Sequence, residues 1–151
     1  MFSVFLSACV LSLLTVYTHA SGIALLMRRL ERSRSTATSQ WFIRRTLLRI
    51  IWWLVVLHLA EISIWALFYQ WRGFFPDAES AFYFSASTYT TLGYGDVVLP
   101  REWRMLAPVE ALTAILMCGL STGLFFALVT VWVRNWMQRR NAADVSIPTS
   151  D

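Results

Sequence analysis

The chain contains no lysine. All 13 basic residues are arginine, and with nine acidic residues they leave a formal net charge of +4. A positive balance can serve nucleic acid, but these arginines stand beside apolar segments, so a membrane surface is the expected partner and nucleic acid is not. Only two cysteines occur, Cys9 and Cys118, both within apolar segments. They define no disulfide framework and read as small buried hydrophobes. Outside the apolar segments there is no nucleophile–base pair, metal cluster or phosphate loop, so an enzyme is not expected. No apolar segment carries arginine at every third position, which argues against voltage sensing.

What the chain has instead is hydrophobicity. Apolar residues make up 57% of its 151 residues, and mean hydropathy is +0.53. That composition belongs to membrane proteins, and the length suits one domain. Segment one, 1–27, is long enough to span at about 1.5 Å per residue. No charge precedes it and Arg28-Arg29 follows it, the reverse of a signal peptide, so a retained span is expected. A basic stretch, 28–46, follows, first as a polar loop. From Gln40 onward Trp41, Phe42, Leu47 and Leu48 interleave with Arg44, Arg45 and Arg49. Two readings stay open there, an amphipathic helix at the membrane surface or the basic first turns of segment two. Segment two runs from about Leu47 to Trp71, with His58 and Glu61 near its middle. Segment three runs from about Met105 to Arg134, and the tail 137–151 is short and polar.

Between segments two and three, Asp77 offers a helix N-cap and Glu79 an acidic first turn. Ala78 to Thr90 then reads as an aromatic helix of about 13 residues, roughly 20 Å long. That is too short to span and too apolar for water, so it reads as re-entrant and buried in protein. Directly after it comes Thr90-Thr91-Leu92-Gly93-Tyr94-Gly95-Asp96. If successive carbonyls are to face one axis, alternate residues must take left-handed dihedrals, which glycine adopts without a Cβ penalty.

This stretch resembles the Thr-Thr-Val-Gly-Tyr-Gly-Asp signature of pore-loop potassium channels, with Leu92 in place of valine. Leu92 leaves the carbonyl chemistry intact and changes the packing behind it. The resemblance covers about 47–136 and implies an all-α membrane protein: three transmembrane helices, a re-entrant pore helix and a selectivity-filter loop, assembled as a tetrameric pore. In that family the filter replaces the hydration shell of K⁺ with rings of backbone carbonyls. The resemblance places those oxygens at Thr91, Leu92, Gly93 and Tyr94, with Gly95 completing the filter. Thr90, Asp96, Tyr83, Phe84 and Ser87 fall at positions that support it, Tyr83 and Phe84 matching the paired aromatics behind the filter. Many relatives carry a carboxylate where this chain has Ser87. The overall likeness is to small pore-only channels with one extra helix in front, with no cytoplasmic ligand domain expected after segment three.

Glu61 and Glu110 lie inside segments two and three at depths near the short helix. An ionisable group within a span is a functional hypothesis by default. Two readings stand: a filter-supporting carboxylate supplied from a flanking span, whose protonation would alter opening, or a hydrogen-bonded tie between helices. His58, three residues before Glu61, shares its face and is expected to pair with it. His19, alone in segment one, reads as packed or interfacial. Gly119 and Gly123 are either a small-residue packing face or a gating hinge.

The expected function is passive, potassium-selective transport, with K⁺ as permeant ligand and no cofactor. The alternatives are a potassium-uptake transporter subunit or a non-conducting regulator that keeps the fold. One filter loop per chain implies a homotetramer. A separate cytoplasmic regulatory chain is left open. Seven arginines lie between segments one and two, and Arg134, Arg139 and Arg140 follow segment three. The positive-inside rule therefore predicts a multi-pass protein of the cell membrane with its N-terminus outside and its C-terminus cytoplasmic. A cysteine placed at Ser35 should then react only with a reagent on the cytoplasmic side, and one at Glu102 only from outside. The reverse pattern overturns this topology.

Overall fold

The structure is a computed structural model and describes residues 2–32 and 40–145. Those residues form four α-helices: α1 (Phe2–Arg32), α2 (Gln40–Trp71), α3 (Ala78–Tyr89) and α4 (Leu106–Val145). A short 3-10 turn, Arg101–Trp103, precedes α4. Three stretches are long and apolar enough to cross a membrane: Phe2–Arg32, Arg44–Trp71 and Arg101–Arg134. The chain divides into two compact units, Met1–Met117 and Cys118–Asp151.

The helices outrun the sequence reading at both ends of the basic stretch. α1 continues through Arg28, Arg29 and Arg32, where cations favour the negative end of the helix dipole. Gln40–Thr46 forms the first turns of α2 with no break before the apolar run. The remainder of the expected loop, 33–39, lies outside the described residues, as does the end of the tail, 146–151. α3 ends one residue earlier than expected, with Thr90 as its cap residue.

In the first unit, α1 buries one stripe: Val4, Ala8, Leu11, Thr15, His19 and Leu26. Steps of three, four and seven keep these on a single helical face. Val4, Ala8 and Leu11 join Trp65 and Tyr69 of α2, Phe84 of α3, Leu99 and Leu106 in one core. α1 is thus part of the core of this unit. Its other face, including Phe5, Leu13 and Tyr17, is exposed in the single chain. Cys9 and Cys118 are exposed as well, which corrects their reading as buried. Apolar surroundings in sequence did not mean burial within the chain.

Aromatic rings close the turn after α2. Tyr69 packs edge-on against Phe84 at 5.3 Å between centroids, and Phe75 lies 5.1 Å from Phe84. The Arg72 guanidinium stacks over Trp103 at 4.4 Å, a favourable cation–π geometry. Gly73, at φ +68°, makes the turn itself. In the second unit, residues 118–145 are helical throughout the described part. Gly119 and Gly123 sit inside this helix, and a Cβ added to either would meet nothing within 4 Å.

α1 and α2 approach closely at Gly22. A Cβ there would lie 2.5 Å from Leu57 Cδ1, and Trp53 Nε1 donates to the Gly22 carbonyl at 3.0 Å. The end of the Leu57 side chain can swing from a methyl but not from a larger group. Gly22→Ala should therefore cost little. Gly22→Leu should destabilise by about 1–3 kcal/mol through overpacking, and adding Leu57→Ala should recover part of that loss. Thermal unfolding of the three variants in detergent measures this, and equal melting of Gly22→Leu and the parent would refute it.

Candidate functional site

α3 is built as a platform for the loop that follows it. Asp77 accepts from the Ser80 backbone N–H at 2.7 Å and from the Ser80 hydroxyl at 3.0 Å. The Ser80 backbone bond, the larger of these effects, holds the Asp77 carboxyl below its ordinary range. It is therefore ionised at the positive end of the helix. At the other end Thr91 has φ +60°. Its N–H donates to the Thr88 carbonyl at 2.9 Å, and the Leu92 N–H donates to the Ser87 carbonyl at 2.9 Å. This is the Schellman pattern, normally built on glycine. A β-branched residue in that conformation costs about 1–3 kcal/mol and persists only where the surroundings impose it. Here the imposing groups are the last carbonyls of α3.

The left-handed conformation recurs at every second residue: Thr91 at +60°, Gly93 at +53° and Gly95 at +78°. The Gly93 N–H also donates to the Ser87 carbonyl, at 3.1 Å. Nothing lies within 4 Å of a Cβ built on Gly93 or Gly95, so the demand for glycine there is set by the backbone, not by crowding. The loop is exposed in the single chain, with Leu92 at 56% and Tyr94 at 67%. Its far end is tied back to α3, because the Tyr83 hydroxyl donates to Asp96 Oδ2 at 2.8 Å. That bond raises the Tyr83 phenol above its ordinary value. The Thr90 hydroxyl donates to the Ala86 carbonyl at 2.7 Å. Ser87 enters through its carbonyl, and Phe84 through the aromatic core.

Two buried carboxylates hold the opposite face of α3. Glu110 of α4 is fully buried and accepts from the Tyr69 hydroxyl at 2.6 Å and the Ser85 hydroxyl at 2.6 Å. Ser85 also lies 2.9 Å from the Ile62 carbonyl of α2. Glu61 of α2 is equally buried. Its Oε2 accepts from the Tyr89 hydroxyl, and its Oε1 lies 2.7 Å from His19 Nδ1. His58 Nδ1 is 3.3 Å from Glu61 and 2.9 Å from the Tyr89 hydroxyl. Ser85 and Tyr89 are four residues apart and therefore share a face of α3. The two carboxylates grip that one face from two different helices.

The expected pairing of His58 with Glu61 is present, and His19 joins it from α1 at the shorter distance. The sequence reading had His19 as packed or interfacial, and it is buried; it missed the His19–Glu61 contact, Tyr69 and the α1 ladder to which His19 belongs. Ser12 lies 3.1 Å from Thr113 Oγ1, and Trp65 Nε1 donates to Thr15 Oγ1 at 3.0 Å. The signal was available: Ser12, Thr15 and His19 step by three and four, which places them on one face of the helix. Gly119 and Gly123 lie in the other compact unit.

Three membrane-capable helices, with a short helix and a left-handed loop between the last two, define a multi-pass membrane protein. A family described as "Ion channel" matches residues 53–131. That is more than half of the chain, and the protein belongs to this two-span, potassium-channel-like ion-channel family. It is a channel protein and not an enzyme. No curated protein and no solved structure matches the chain. α1 lies outside the matched residues and still supplies His19.

The Tyr69–Glu110 bond is the simplest of these contacts to test. Tyr69→Phe keeps the ring packing and removes one donor from a buried carboxyl. Its cost should be about 1–3 kcal/mol, the penalty for an unsatisfied buried acceptor. Tyr17→Phe, on the exposed face of α1, should be near neutral. If thermal unfolding finds the two variants alike, the bond carries no stability.

Proposed function

We propose that this chain is the subunit of a potassium-selective channel in which four copies close one conduction path. The observation that carries the proposal is the alternation of left-handed dihedrals at Thr91, Gly93 and Gly95 within the seven-residue signature. Alternating handedness is what turns successive carbonyls to one side of a strand, and a ring of such carbonyls can replace the water around K⁺. Thr91, Leu92, Gly93 and Tyr94 supply the oxygens, and Gly95 ends the filter. α3 is the pore helix, and its negative end favours a cation near the loop. Four chains are required because one loop provides one quarter of each ring. The exposed Leu92 and Tyr94 gain cover from neighbouring copies.

Support for the filter comes from Thr90, Asp96, Tyr83, Phe84 and Ser87 at the loop, and from Glu61 and Glu110 across α3. Gly119 and Gly123 are the hinge candidates in the inner helix, α4. The orientation has the filter outside, the N-terminus outside and the basic stretch and C-terminus in the cytoplasm of the cell. A subunit of an uptake transporter is disfavoured because such chains usually carry four degenerate pore repeats and this one carries a single well-matched repeat. A non-conducting regulator is disfavoured by the intact signature.

Purified protein reconstituted in a bilayer under a potassium gradient should give currents that reverse near the potassium equilibrium potential and are blocked by barium. Gly93→Ala should abolish selective current while the protein still assembles, because the penalty lies in the local backbone. Chemical cross-linking should stop at four chains. Equal permeability to sodium and potassium, or a cross-linking limit other than four, would overturn the proposal.

A further inference from the structure

His19, His58 and Glu61 each bring a ligand atom to within 4.8 Å of the others. They come from two helices, and Tyr89 of α3 closes the group. The two imidazole rings stand 5.5 Å apart between centroids. His19 and Glu61 are buried, whereas His58 keeps 20% of its side chain exposed, which leaves a way in for an ion.

We propose that His19, His58 and Glu61 form a binding site for a divalent transition-metal ion of the zinc type, bound in competition with Tyr89. The donor set selects the metal. Two imidazoles and one carboxylate suit zinc and cobalt, whereas calcium and magnesium call for oxygen ligands. The size agrees. Bonds of about 2.0–2.2 Å place the ligand atoms of a tetrahedral ion roughly 3.3–3.6 Å apart. His19 Nδ1 lies 2.7 Å from Glu61 Oε1 and His58 Nδ1 3.3 Å from Glu61 Oε2, and one ligand atom from each residue falls within 4.8 Å of the others, a spread that includes that range. Charge agrees too. A carboxylate inside a membrane-capable helix needs a countercharge, and a divalent ion supplies it while both histidines stay neutral.

The same ion reaches the loop. Tyr89 is the last residue of α3, and its hydroxyl bonds Glu61. An ion that takes up Glu61 loosens that bond two residues before Thr91. Zinc is therefore an inhibitor from within the subunit, a consequence that rests on the proposed channel function, whereas the binding site does not.

The test begins with binding. Full-length protein in detergent, titrated with Co²⁺, should develop the visible absorption of a four-coordinate ion, and Zn²⁺ should displace it. His19→Gln and His58→Gln should each weaken binding by at least about tenfold, the loss that follows removal even of an outer partner of a metal ligand. Zn²⁺ should raise the thermal stability of the parent and not of either variant, both first shown to elute and melt near the parent without metal. Absence of the cobalt spectrum in the parent, or the same spectrum in both histidine variants, overturns the site. In bilayers Zn²⁺ should reduce the parent current and leave that of His19→Gln unchanged. A zinc-insensitive parent current alongside normal cobalt binding overturns the inhibition. Normal cobalt binding by a protein that conducts nothing upholds the site and counts against the channel function instead.

Discussion

A carboxylate within a membrane-crossing helix must find its donors inside the protein, because the hydrocarbon offers none. This chain carries two, Glu61 and Glu110, both fully buried, and both spend their lone pairs on the same short helix. Ser85 and Tyr89 receive them on one face of α3, while Tyr69 joins Glu110 and His19 and His58 join Glu61. Breaking either contact would strand a charge or a polar group in an apolar interior. That penalty fixes α3 against α2 and α4 together with its apolar contacts, among them Ala81 and Phe84 in the core. A helix of 12 residues is too short to be held by a membrane alone and needs such fixation.

The loop inherits its geometry from the end of that helix. Thr91, a β-branched residue in the left-handed region, would not remain there unaided. The final carbonyls of α3 hold it through the backbone N–H groups of Thr91, Leu92 and Gly93. At the far end the Tyr83–Asp96 bond returns the loop to α3. Strain at the loop is thus offset by hydrogen bonds whose partners are themselves fixed by Glu61 and Glu110. The chain of dependence runs from buried charge to helix position to backbone dihedral.

α1 enters this arrangement although it lies outside the residues that match the ion-channel family. Its apolar stripe completes the core, and its polar residues meet Trp65, Thr113 and Glu61. Helix association within lipid has little hydrophobic driving force and relies on close packing and interhelical hydrogen bonds. The approach at Gly22 and the ladder from Ser12 to His19 supply both. α1 is structural for the first unit, and through His19 it reaches the end of α3.

Much of this was legible in the residues alone. Hydropathy marks the three long helices, because a span must be apolar over its whole length. Asp77 marks the start of α3, because capping is a matter of neighbouring residues. The alternation of glycines within 90–96 marks the left-handed loop, because that conformation is restricted by the residue's own Cβ. These are local properties, set within a few residues along the chain. The sequence did not reveal that Thr91 would share the glycines' conformation, that His19 would face Glu61 across 42 positions, or that Ser85 and Tyr89 would be the donors that α3 gives to the two carboxylates. Nor did it separate the exposed Cys9 from its buried neighbour Ala8. Those outcomes depend on which helical faces meet. Rotating a helix by one residue moves each side chain by about 100°, so only the packed structure decides which polar groups share a buried point.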